Sequence, residues 1–539
     1  MIEFAALLDA LVYTTSRNRK LQLIADYLRR TPDPDRGWAL AGLTGALDFP
    51  AVKSATVRKL MEQRIDPVLW TLSRDFVGDT AETASLLWPE PAPPPDGDVT
   101  PPPGLSEVVV LLGTMSRADV ARRLPQLLDR LDASGRFALI KLATGGMRIG
   151  VSARLAKMAF AQAFAVELEQ VEEYWHGIAP PYAELFAWAA EGAAPPDLAG
   201  RALFRPFMLA HPLEAGTLDL ADYAAEWKWD GIRVQLVHAG GETRLFSRGG
   251  EDIGHSFPEL TGALAIPAVL DGELLVRGAH QGGTSGGAAS FNALQQRLGR
   301  KSVSKRMLAD YAAFVRLYDA LIVDGEDLRE HPWHHRRARL ERLLARLPPS
   351  HFDLSQLVEA RDFDHLAEIR AGARDEAIEG LMLKRRDSPY VAGRKVGLWY
   401  KWKRDPLLVD CVLMYAQRGS GKRSSFYSDY TFGCWAGEPD ANGLGGAELL
   451  PVGKAYSGFT DEELKRIDRH VRQNTVNRFG PVRETNRSLV FEVAFDSVHR
   501  SKRHKSGLAM RFPRIHRIRW DKPAHEADRI ESLFALIRD

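Results

Sequence analysis

The sequence predicts a multidomain protein with an all-α N-terminal region, a mixed α+β central region and a small C-terminal β-barrel. Apolar residues recur at helical spacing through residues 1–200, with little strand-like alternation. Residues 201–405 mix strand-like runs with helical stretches, and short strands dominate residues 406–539. At roughly 150 residues per domain, the 539-residue chain has room for three to four domains, and we assign one to each range.

Helical spacing and a proline-rich interruption characterise the N-terminal region. Phe4, Leu7, Leu8 and Leu11 lie at i, i+3, i+4 and i+7, which places them on one face of a helix. The segment 89–103 contains runs of proline and cannot continue a helix. Because similar helical patterns lie on both sides of it, we interpret it as an exposed loop within one helical domain.

The two following regions contain both strands and helices. The predicted strands of the central region are 223–229, 233–237, 243–247, 268–276, 314–322 and 379–384, and its predicted helices are 290–296, 334–347 and 362–373. The predicted strands of the C-terminal region are 410–416, 430–435 and 488–494. One C-terminal helix, 460–473, begins at a Thr-Asp-Glu-Glu sequence that suits an N-cap and capping box.

Charge is unevenly distributed along the chain. The formal net charge is only +2, which by itself gives no sign of a polyanionic partner. Residues 382–405 nevertheless hold eight Lys and Arg against two Asp, and residues 499–522 hold nine against one. Because aromatic and apolar residues interleave with these cations, we interpret both runs as strands with one basic side, suited to a triphosphate or a DNA backbone.

Composition excludes several classes of protein. Only Cys411 and Cys434 are present, which excludes a disulfide scaffold and a four-cysteine zinc site. No apolar run reaches the ~20 residues of a membrane span, and no basic segment typical of a signal peptide follows Met1. We therefore expect a soluble, cytoplasmic protein without a membrane partner.

Residues 226–233 (Glu-Trp-Lys-Trp-Asp-Gly-Ile-Arg) carry the most informative pattern. A Lys-x-Asp-Gly match alone is weak, since it arises by chance in on the order of one chain in ten. Here Lys228 stands between two tryptophans at the end of an apolar strand. Burial and neighbouring cations at such a place would yield a neutral amine nucleophile.

Five further elements follow in order, each with charged side chains at a strand or in a turn. They are Ser247-Arg248-Gly249-Gly250, Asp271-Gly272-Glu273, Glu379 with Lys384 on one strand, Trp399-Tyr400-Lys401-Trp402-Lys403, and Arg511-Phe512-Pro513-Arg514 followed by 515–522. A lysine nucleophile, two separated glutamates and several cations suit metal-assisted attack on a nucleoside triphosphate. The sequence contains no Gly-x-x-x-x-Gly-Lys-Ser/Thr loop, which disfavours P-loop hydrolysis.

In this order the elements resemble the ATP-dependent DNA ligases of the covalent nucleotidyltransferase superfamily, in their bacterial type with an N-terminal helical DNA-binding domain. The Arg-Phe-Pro-Arg…Arg-x-Asp-Lys element is the most specific match, and 146–150 (Gly-Met-Arg-Ile-Gly) resembles a short element of the family's helical domain. The resemblance implies a helical DNA-binding domain over 1–200, an adenylation (nucleotidyltransferase) domain over 201–405 and an OB-fold β-barrel over 406–539.

The resemblance also implies roles for the residues at matching positions. Lys228 would carry AMP as a phosphoramide, while Glu226 would read the adenine amino group. Tyr318 would stack on the base, although a plain core role for it stays open. Arg233 would lie near the ribose and phosphate, and Arg248 would contact the nucleotide or the 5′-phosphate of the nick.

Further matching positions concern the metal and the phosphates. Glu273 and Glu379 would bind the divalent metal or the ribose. Lys401 and Lys403 would contact the α-phosphate, with Lys384 nearby.

Three arginines outside the central region complete the implied site. Arg511 and Arg514 would orient the pyrophosphate during adenylation of the lysine. Arg148 would contact DNA, with a purely structural role as the alternative.

The leading hypothesis is an ATP-dependent DNA ligase that seals 3′-OH/5′-phosphate nicks in duplex DNA through lysyl-AMP and adenylated DNA, releasing pyrophosphate and AMP. The expected cofactors are ATP and Mg²⁺, or Mn²⁺ in its place. We expect a nucleoid-associated monomer, with other DNA repair proteins as candidate partners. An RNA ligase or capping-type nucleotidyltransferase and an inactive nick-binding protein are the alternatives. The sequence leaves open whether the protein serves replication, repair or recombination.

Overall fold

The computed structural model describes residues 1–91, 101–214, 218–278, 287–289, 291–300, 302–373, 377–419, 425–437, 447–502 and 504–537. Two sequence predictions fall partly outside these ranges. Residues 92–100 of the predicted proline-rich loop 89–103 are not described, and neither is residue 290, the first of the predicted helix 290–296. The chain divides into two compact units, one formed by Met1–Ala156 with Pro406–Asp539 and the other by Lys157–Asp405. No helix in the described ranges is both long and apolar enough to cross a membrane.

The helical N-terminal region is confirmed. Its helices are α1 (Ile2–Tyr13), α2 (Arg17–Arg30), α3 (Asp35–Thr44), α4 (Ser54–Glu62), α5 (Pro67–Val77), α6 (Thr80–Leu87), α7 (Leu105–Thr114), α8 (Arg117–Asp129), α9 (Ala133–Thr144), α10 (Ala153–Phe164), α11 (Leu168–Trp175) and α12 (Ala183–Glu191). The predicted apolar face of α1 is confirmed too, because Phe4, Leu7, Leu8 and Leu11 are all buried.

The central unit is built on two mainly antiparallel sheets and a two-stranded parallel sheet, β1 with β11, with helices between their strands. The strands are β1 (Met208–Leu209), β2 (His211–Pro212), β3 (Tyr223–Trp229), β4 (Ile232–Ala239), β5 (Glu242–Ser247), β6 (Ala268–Val276), β7 (Ala313–Val323), β8 (Glu326–Asp327), β9 (Phe352–Leu354), β10 (Ile378–Arg385), β11 (Gly393–Arg394) and β12 (Trp399–Lys403). The helices are α13 (Pro258–Thr261), α14 (Phe291–Gln295), α15 (Lys305–Asp310), α16 (Trp333–Leu344) and α17 (Phe363–Gly372).

Strand order places β3 and β4, which are consecutive in the chain, in different sheets. One sheet has the order β2-β12-β10-β3, in which β2 runs parallel to β12, and the other has the order β5-β4-β6-β7-β8, with β9 parallel to β7. The turn between β3 and β4 therefore carries the chain from one sheet to the other. Gly231 in this turn lies so close to β6 that a Cβ atom would be 2.4 Å from the carbonyl oxygen of Leu274. Only glycine permits this approach.

Strand register fixes which side chains of the first sheet share a face. Lys228 on β3 lies opposite Gly380 on β10, and Gly380 lies opposite Lys403 on β12. Two residues away, Met382 lies between Glu226 and Lys401 in the same manner. Since opposite residues on antiparallel strands point to one face, four charged side chains of β3 and β12 project from the same side of the sheet.

In the described ranges the C-terminal region forms a seven-stranded sheet, a two-stranded sheet, two α-helices and a short 3-10 helix at Ala524–Glu526. Its elements are β13 (Leu407–Arg418), β14 (Tyr427–Ala436), β15 (Glu448–Ala455), α18 (Asp461–Gln473), β16 (Thr475–Phe479), β17 (Val482–Thr485), β18 (Val490–Phe495), β19 (Ser497–Arg500), β20 (Leu508–Arg511), β21 (Arg514–Arg519) and α19 (Ile530–Phe534). The predicted capping box of α18 is confirmed, because Thr460 and Glu463 each accept a hydrogen bond from the other's backbone N–H.

The strands of the large C-terminal sheet form one continuous hydrogen-bonded ladder. It runs β15-β14-β13-β17-β16, and β18 bridges β13 and β21. In the described ranges no ladder joins β15 to β21, so a sheet is established here and a closed barrel is not. Cys411 and Cys434 are buried thiols in its core, with their sulfur atoms 3.5 Å apart.

Candidate active site

A β-bulge at the start of β10 aims a carboxylate at Lys228. The pairing with β3 shifts between Ile378 and Gly380, so Glu379 is an extra residue on its strand. Its carboxylate accepts a short hydrogen bond from Lys228 and lies 3.3 Å from Nζ of Lys403. Burial alone would raise the pKa of Glu379, but the two lysine charges outweigh this effect and lower it.

The two tryptophans that flank Lys228 in the sequence do not share its face of the strand. Side chains alternate along β3, so Trp227 and Trp229 point away from the face that carries Lys228. Trp229 instead donates a hydrogen bond to the hydroxyl of Ser355 at 3.1 Å. Lys228 is partly exposed and paired with Glu379 rather than surrounded by apolar side chains.

Glu273 approaches the same lysine from the second sheet. It lies on β6 opposite Arg233 of β4, and it accepts a hydrogen bond from the N–H of Gly231 at 3.2 Å. Burial raises the pKa of Glu273 to about 7, and the nearby charge of Glu379 adds to this rise while Lys228 opposes it. The two glutamates are therefore close enough to repel each other, with Lys228 beside both.

Glu226 and Lys384 form a buried ion pair at the other end of the same face. Their charged atoms are 3.0 Å apart, and both residues are 1% exposed. The ammonium of Lys384 also lies 4.5 Å from the ring centre of Tyr318 and 4.7 Å from that of Trp399. Burial lowers the pKa of Lys384, against the opposing effect of Glu226.

Arg233 is fixed by a network on the second sheet. Its guanidinium donates to the carbonyl of Met208 at 2.7 Å and to Asp271 at 2.9 Å, and it stacks 4.0 Å from the ring centre of Phe207. Asp271 also accepts hydrogen bonds from Gln235 and from the hydroxyl of Tyr390. Of the two carboxylates in the Asp-Gly-Glu element, Asp271 thus holds Arg233 and only Glu273 faces Lys228.

Lys401 lies in a cluster of cations. Burial lowers its pKa, and the positive charges of Arg394, Lys228, Lys403 and Arg248 lower it further. No carboxylate lies within ion-pair distance of Lys401 in the part of the chain that the structure describes. Such a cluster favours an anionic ligand, since a bound phosphate would relieve the repulsion among the cations.

His176 is a residue that the sequence did not single out. It follows α11 and supports the turn that carries Arg248, since a Cβ atom at Gly250 would lie 2.3 Å from the imidazole. Gly250 has a φ of +81°, which favours glycine. Burial lowers the pKa of His176 to about 3, so the ring stays neutral and acts by packing.

The structure places the remaining predicted residues outside the central unit. Arg148 is exposed in the loop after α9, and Lys20 holds this loop by donating to the carbonyls of Ile149 at 3.0 Å and Gly150 at 2.9 Å. Arg511 ends β20, and Arg514 begins β21 with an ion pair to Asp496 at 3.2 Å.

Taken together, the central residues suit nucleophilic attack on a phosphorus atom. An amine, two flanking carboxylates and a group of cations surround one point on the β3–β10–β12 sheet. No group of three or more histidine, cysteine or acidic side chains suited to a metal lies within the described ranges. A metal here would depend on the Glu273 and Glu379 pair together with oxygens from water or phosphate.

The raised pKa of Glu273 predicts how stability depends on pH. Its pKa rises from 4.5 to about 7 on folding, so the folded protein binds more protons than the unfolded chain between these values. The contribution of Glu273 to stability therefore falls as the pH rises through this window. We expect Glu273→Gln to stabilise the metal-free protein by roughly 2 kcal/mol more at pH 8 than at pH 5 in urea unfolding.

Glu251→Gln, at an exposed position beside the Arg248 turn, is the control and should give the same difference from wild type at both pH values. An equal effect of Glu273→Gln at pH 5 and pH 8 would contradict the raised pKa.

Comparison with known proteins identifies the family. A model described as "ATP dependent DNA ligase domain" matches residues 207–403, and one described as "ATP dependent DNA ligase C terminal region" matches residues 423–522. The "Probable DNA ligase" of Koribacter versatilis is 31% identical over 98% of this chain and 95% of its own length. The "DNA ligase 1" of Korarchaeum cryptofilum is 30% identical over 98% of this chain and 96% of its own.

A solved structure agrees at the level of the fold. The structure named "Pmar-Lig_Pre" is 17% identical, covers 96% of this chain and 99% of its own, and superposes with a TM-score of 0.58. Sequence relatives named DNA ligase thus extend over nearly the whole chain, and the two family models match more than half of it. The chain belongs to the family of ATP-dependent DNA ligases.

Proposed function

We propose that the protein seals nicks in duplex DNA with Lys228 as its nucleophile. The observation that carries this proposal is the convergence of Lys401, Lys403 and Glu379 on Lys228 at one face of the sheet. In the first step Nζ of Lys228 attacks the α-phosphorus of ATP. A P–N bond forms, the bond to pyrophosphate breaks and the amine proton goes to solvent, while the neighbouring lysines offset the negative charge on the phosphates.

Two further steps take place on the DNA: transfer of AMP to the 5′-phosphate, and joining of the strands. The 5′-phosphate of the nick attacks the phosphorus of lysyl-AMP, and Lys228 leaves with a proton. The 3′-hydroxyl then attacks the 5′-phosphorus, and AMP leaves. We propose that Arg248, exposed on its turn near Lys401, contacts the 5′-phosphate or the nucleotide during these steps.

The base and ribose have candidate contacts in the central unit. Glu226 would accept a hydrogen bond from the adenine amino group, and Tyr318 would stack on the base beside Lys384. Arg233 would lie near the ribose and phosphate. Its fixed hydrogen bonds to Met208 and Asp271 support a positioned rather than a mobile guanidinium.

Glu273 and Glu379 would hold a divalent cation, Mg²⁺ or Mn²⁺. The two carboxylates fit such an ion because the charge of Glu379 helps to raise the pKa of Glu273, and a nearby divalent cation would offset that repulsion. When bound, the ion would neutralise charge on the phosphates of ATP.

The remaining assignments rest on the family resemblance. Residues 1–200 would bind DNA, with Arg148 as one contact, and residues 201–405 would form the adenylation domain. Residues 406–539 would form an OB-fold barrel on which Arg511 and Arg514 orient the pyrophosphate. We also propose that the protein works as a cytoplasmic, nucleoid-associated monomer, alongside other DNA repair proteins.

Mass spectrometry tests the nucleophile. After incubation with ATP and Mg²⁺, we expect one AMP on the wild-type protein and none on Lys228→Ala, because Lys228 is the proposed nucleophile and Lys401 and Lys403 would hold the phosphates beside it. Lys305→Ala, at an exposed lysine on α15, is the matched control and should be labelled fully. Full labelling of Lys228→Ala would disprove the assignment, and labelling from GTP alone would favour a capping-type enzyme.

Arg148→Ala tests the proposed DNA contact. Removing one phosphate contact should weaken binding to nicked duplex by about tenfold at low salt and leave adenylation of Lys228 unchanged. Binding is measured by fluorescence anisotropy, and adenylation by mass. Loss of adenylation in this variant would contradict the assignment of the N-terminal region to DNA binding.

A further inference from the structure

Helix α16 supplies a second cation to Glu226. Arg337 on this helix is 6% exposed, and its Nη1 donates to one carboxylate oxygen of Glu226 at 3.3 Å. Its Nη2 donates to the carbonyl of Ser355 at 2.7 Å, and its Nε donates to Glu341 at 2.8 Å. Three different partners therefore fix the guanidinium behind Glu226, and rotation of the side chain would break all three contacts.

The two oxygens of Glu226 are held by different cations. Arg337 contacts Oε1, and Lys384 contacts Oε2 at 3.0 Å. Each carboxylate oxygen has two acceptor sites, so one site on each oxygen remains for a ligand. The two cationic donors fix the plane of the carboxylate, and its remaining acceptor sites suit a donating group of the ligand.

An acceptor-only carboxylate discriminates between purine bases. Adenine offers an exocyclic amine that donates, whereas guanine offers a carbonyl oxygen at the same position, which an anionic acceptor repels. We propose that Arg337 is a positioning residue that sets the selectivity for ATP over GTP by fixing the orientation of the Glu226 carboxylate. This inference rests on the proposed contact between Glu226 and the base.

Arg337 suits this role better than Lys384 does. Arg337 contacts Glu226, Ser355 and Glu341 together through a rigid, planar guanidinium, whereas Lys384 holds Glu226 through a flexible ammonium. Lys384 also contacts the ring of Tyr318, so its removal would disturb the base pocket in a second way. Substitution of Arg337 changes the support of Glu226 and leaves the rest of the proposed base pocket in place.

The neighbouring arginine on α16 has a separate role. Arg336 donates to both oxygens of Asp319 at 2.8 and 2.9 Å, and to the carbonyls of His331 and Ser388. None of these contacts reaches Glu226. The adjacent arginines thus support two different strands, Arg337 through Glu226 on β3 and Arg336 through Asp319 on β7.

The test compares the rates at which lysyl-AMP and lysyl-GMP form, using ATP and GTP with Mg²⁺ on the full chain. We expect Arg337→Met to lower the ratio of the ATP rate to the GTP rate by about tenfold or more, because one charge-assisted contact to Glu226 is lost. Arg337→Lys retains a charge and should recover part of the ratio. Arg342→Met, at an exposed arginine on the same helix, should retain the wild-type ratio.

The ratio separates selectivity from a general structural defect. Equal slowing with both nucleotides, or an unchanged ratio, would overturn the proposal, as would a wild-type ratio in Arg337→Gln should the methionine variant fail to fold. A wild-type protein that forms neither adduct would instead refute the proposed function. Thermal unfolding of each variant identifies those that fold.

Discussion

The antiparallel register of β3, β10 and β12 is the constraint on which the site depends. It sets Lys228 and Lys403 on either side of Gly380, and the bulge beside Gly380 brings Glu379 to both lysines. A Cβ atom at Gly380 would lie 2.3 Å from the carbonyl of Trp402, so the strands come together only with glycine here. A shift of one residue in this register would send the lysines to the opposite face.

The buried carboxylates around the site are each paired with one or more cationic side chains. Glu226 is matched by Lys384 and Arg337, and Asp271 is matched by Arg233 with help from Tyr390. Burying such charges is costly unless each finds partners, and removal of one partner leaves the other uncompensated. These groups contribute orientation more than stability, because they hold the proposed base- and ribose-contacting side chains in single conformations. Reactive groups such as Lys228 and Lys403 remain partly exposed by contrast.

Local pattern was sufficient to predict many elements of the fold. Strands 223–229 and 268–276 have the predicted bounds, since turn residues mark strand ends, such as the Asp-Gly pair after Trp229 and the proline before Ala268. The strand predicted at 410–416 is longer in the structure, Leu407–Arg418, because residues 407–409 continue the ladder with β18 and residues 417–418 continue it with β14. Such pairing with distant residues leaves no local pattern in the sequence. The OB-fold barrel and the domain boundaries remain predictions.

The sequence predicted the site residues that lie within short motifs of charged side chains. It did not predict the residues that reach the site from distant parts of the chain. Alternation with aromatic residues indicated that Lys401 and Lys403 share one face of their strand. The register shows that this is also the face of Lys228. Arg337 and Glu226 are 111 positions apart, and only the packing of α16 joins them. His176 was missed for the same reason, since its contact with Gly250 depends on the fold.

We propose that Lys228 acts by carrying AMP from ATP to the nick. Single-turnover sealing of a nick whose 5′-phosphate is already adenylated tests this role most directly. We expect Lys228→Ala to seal this pre-adenylated nick, which needs no lysyl-AMP, but to leave an ordinary nick open in the presence of ATP. Sealing of the ordinary nick by Lys228→Ala with ATP would show that Lys228 does not carry the AMP.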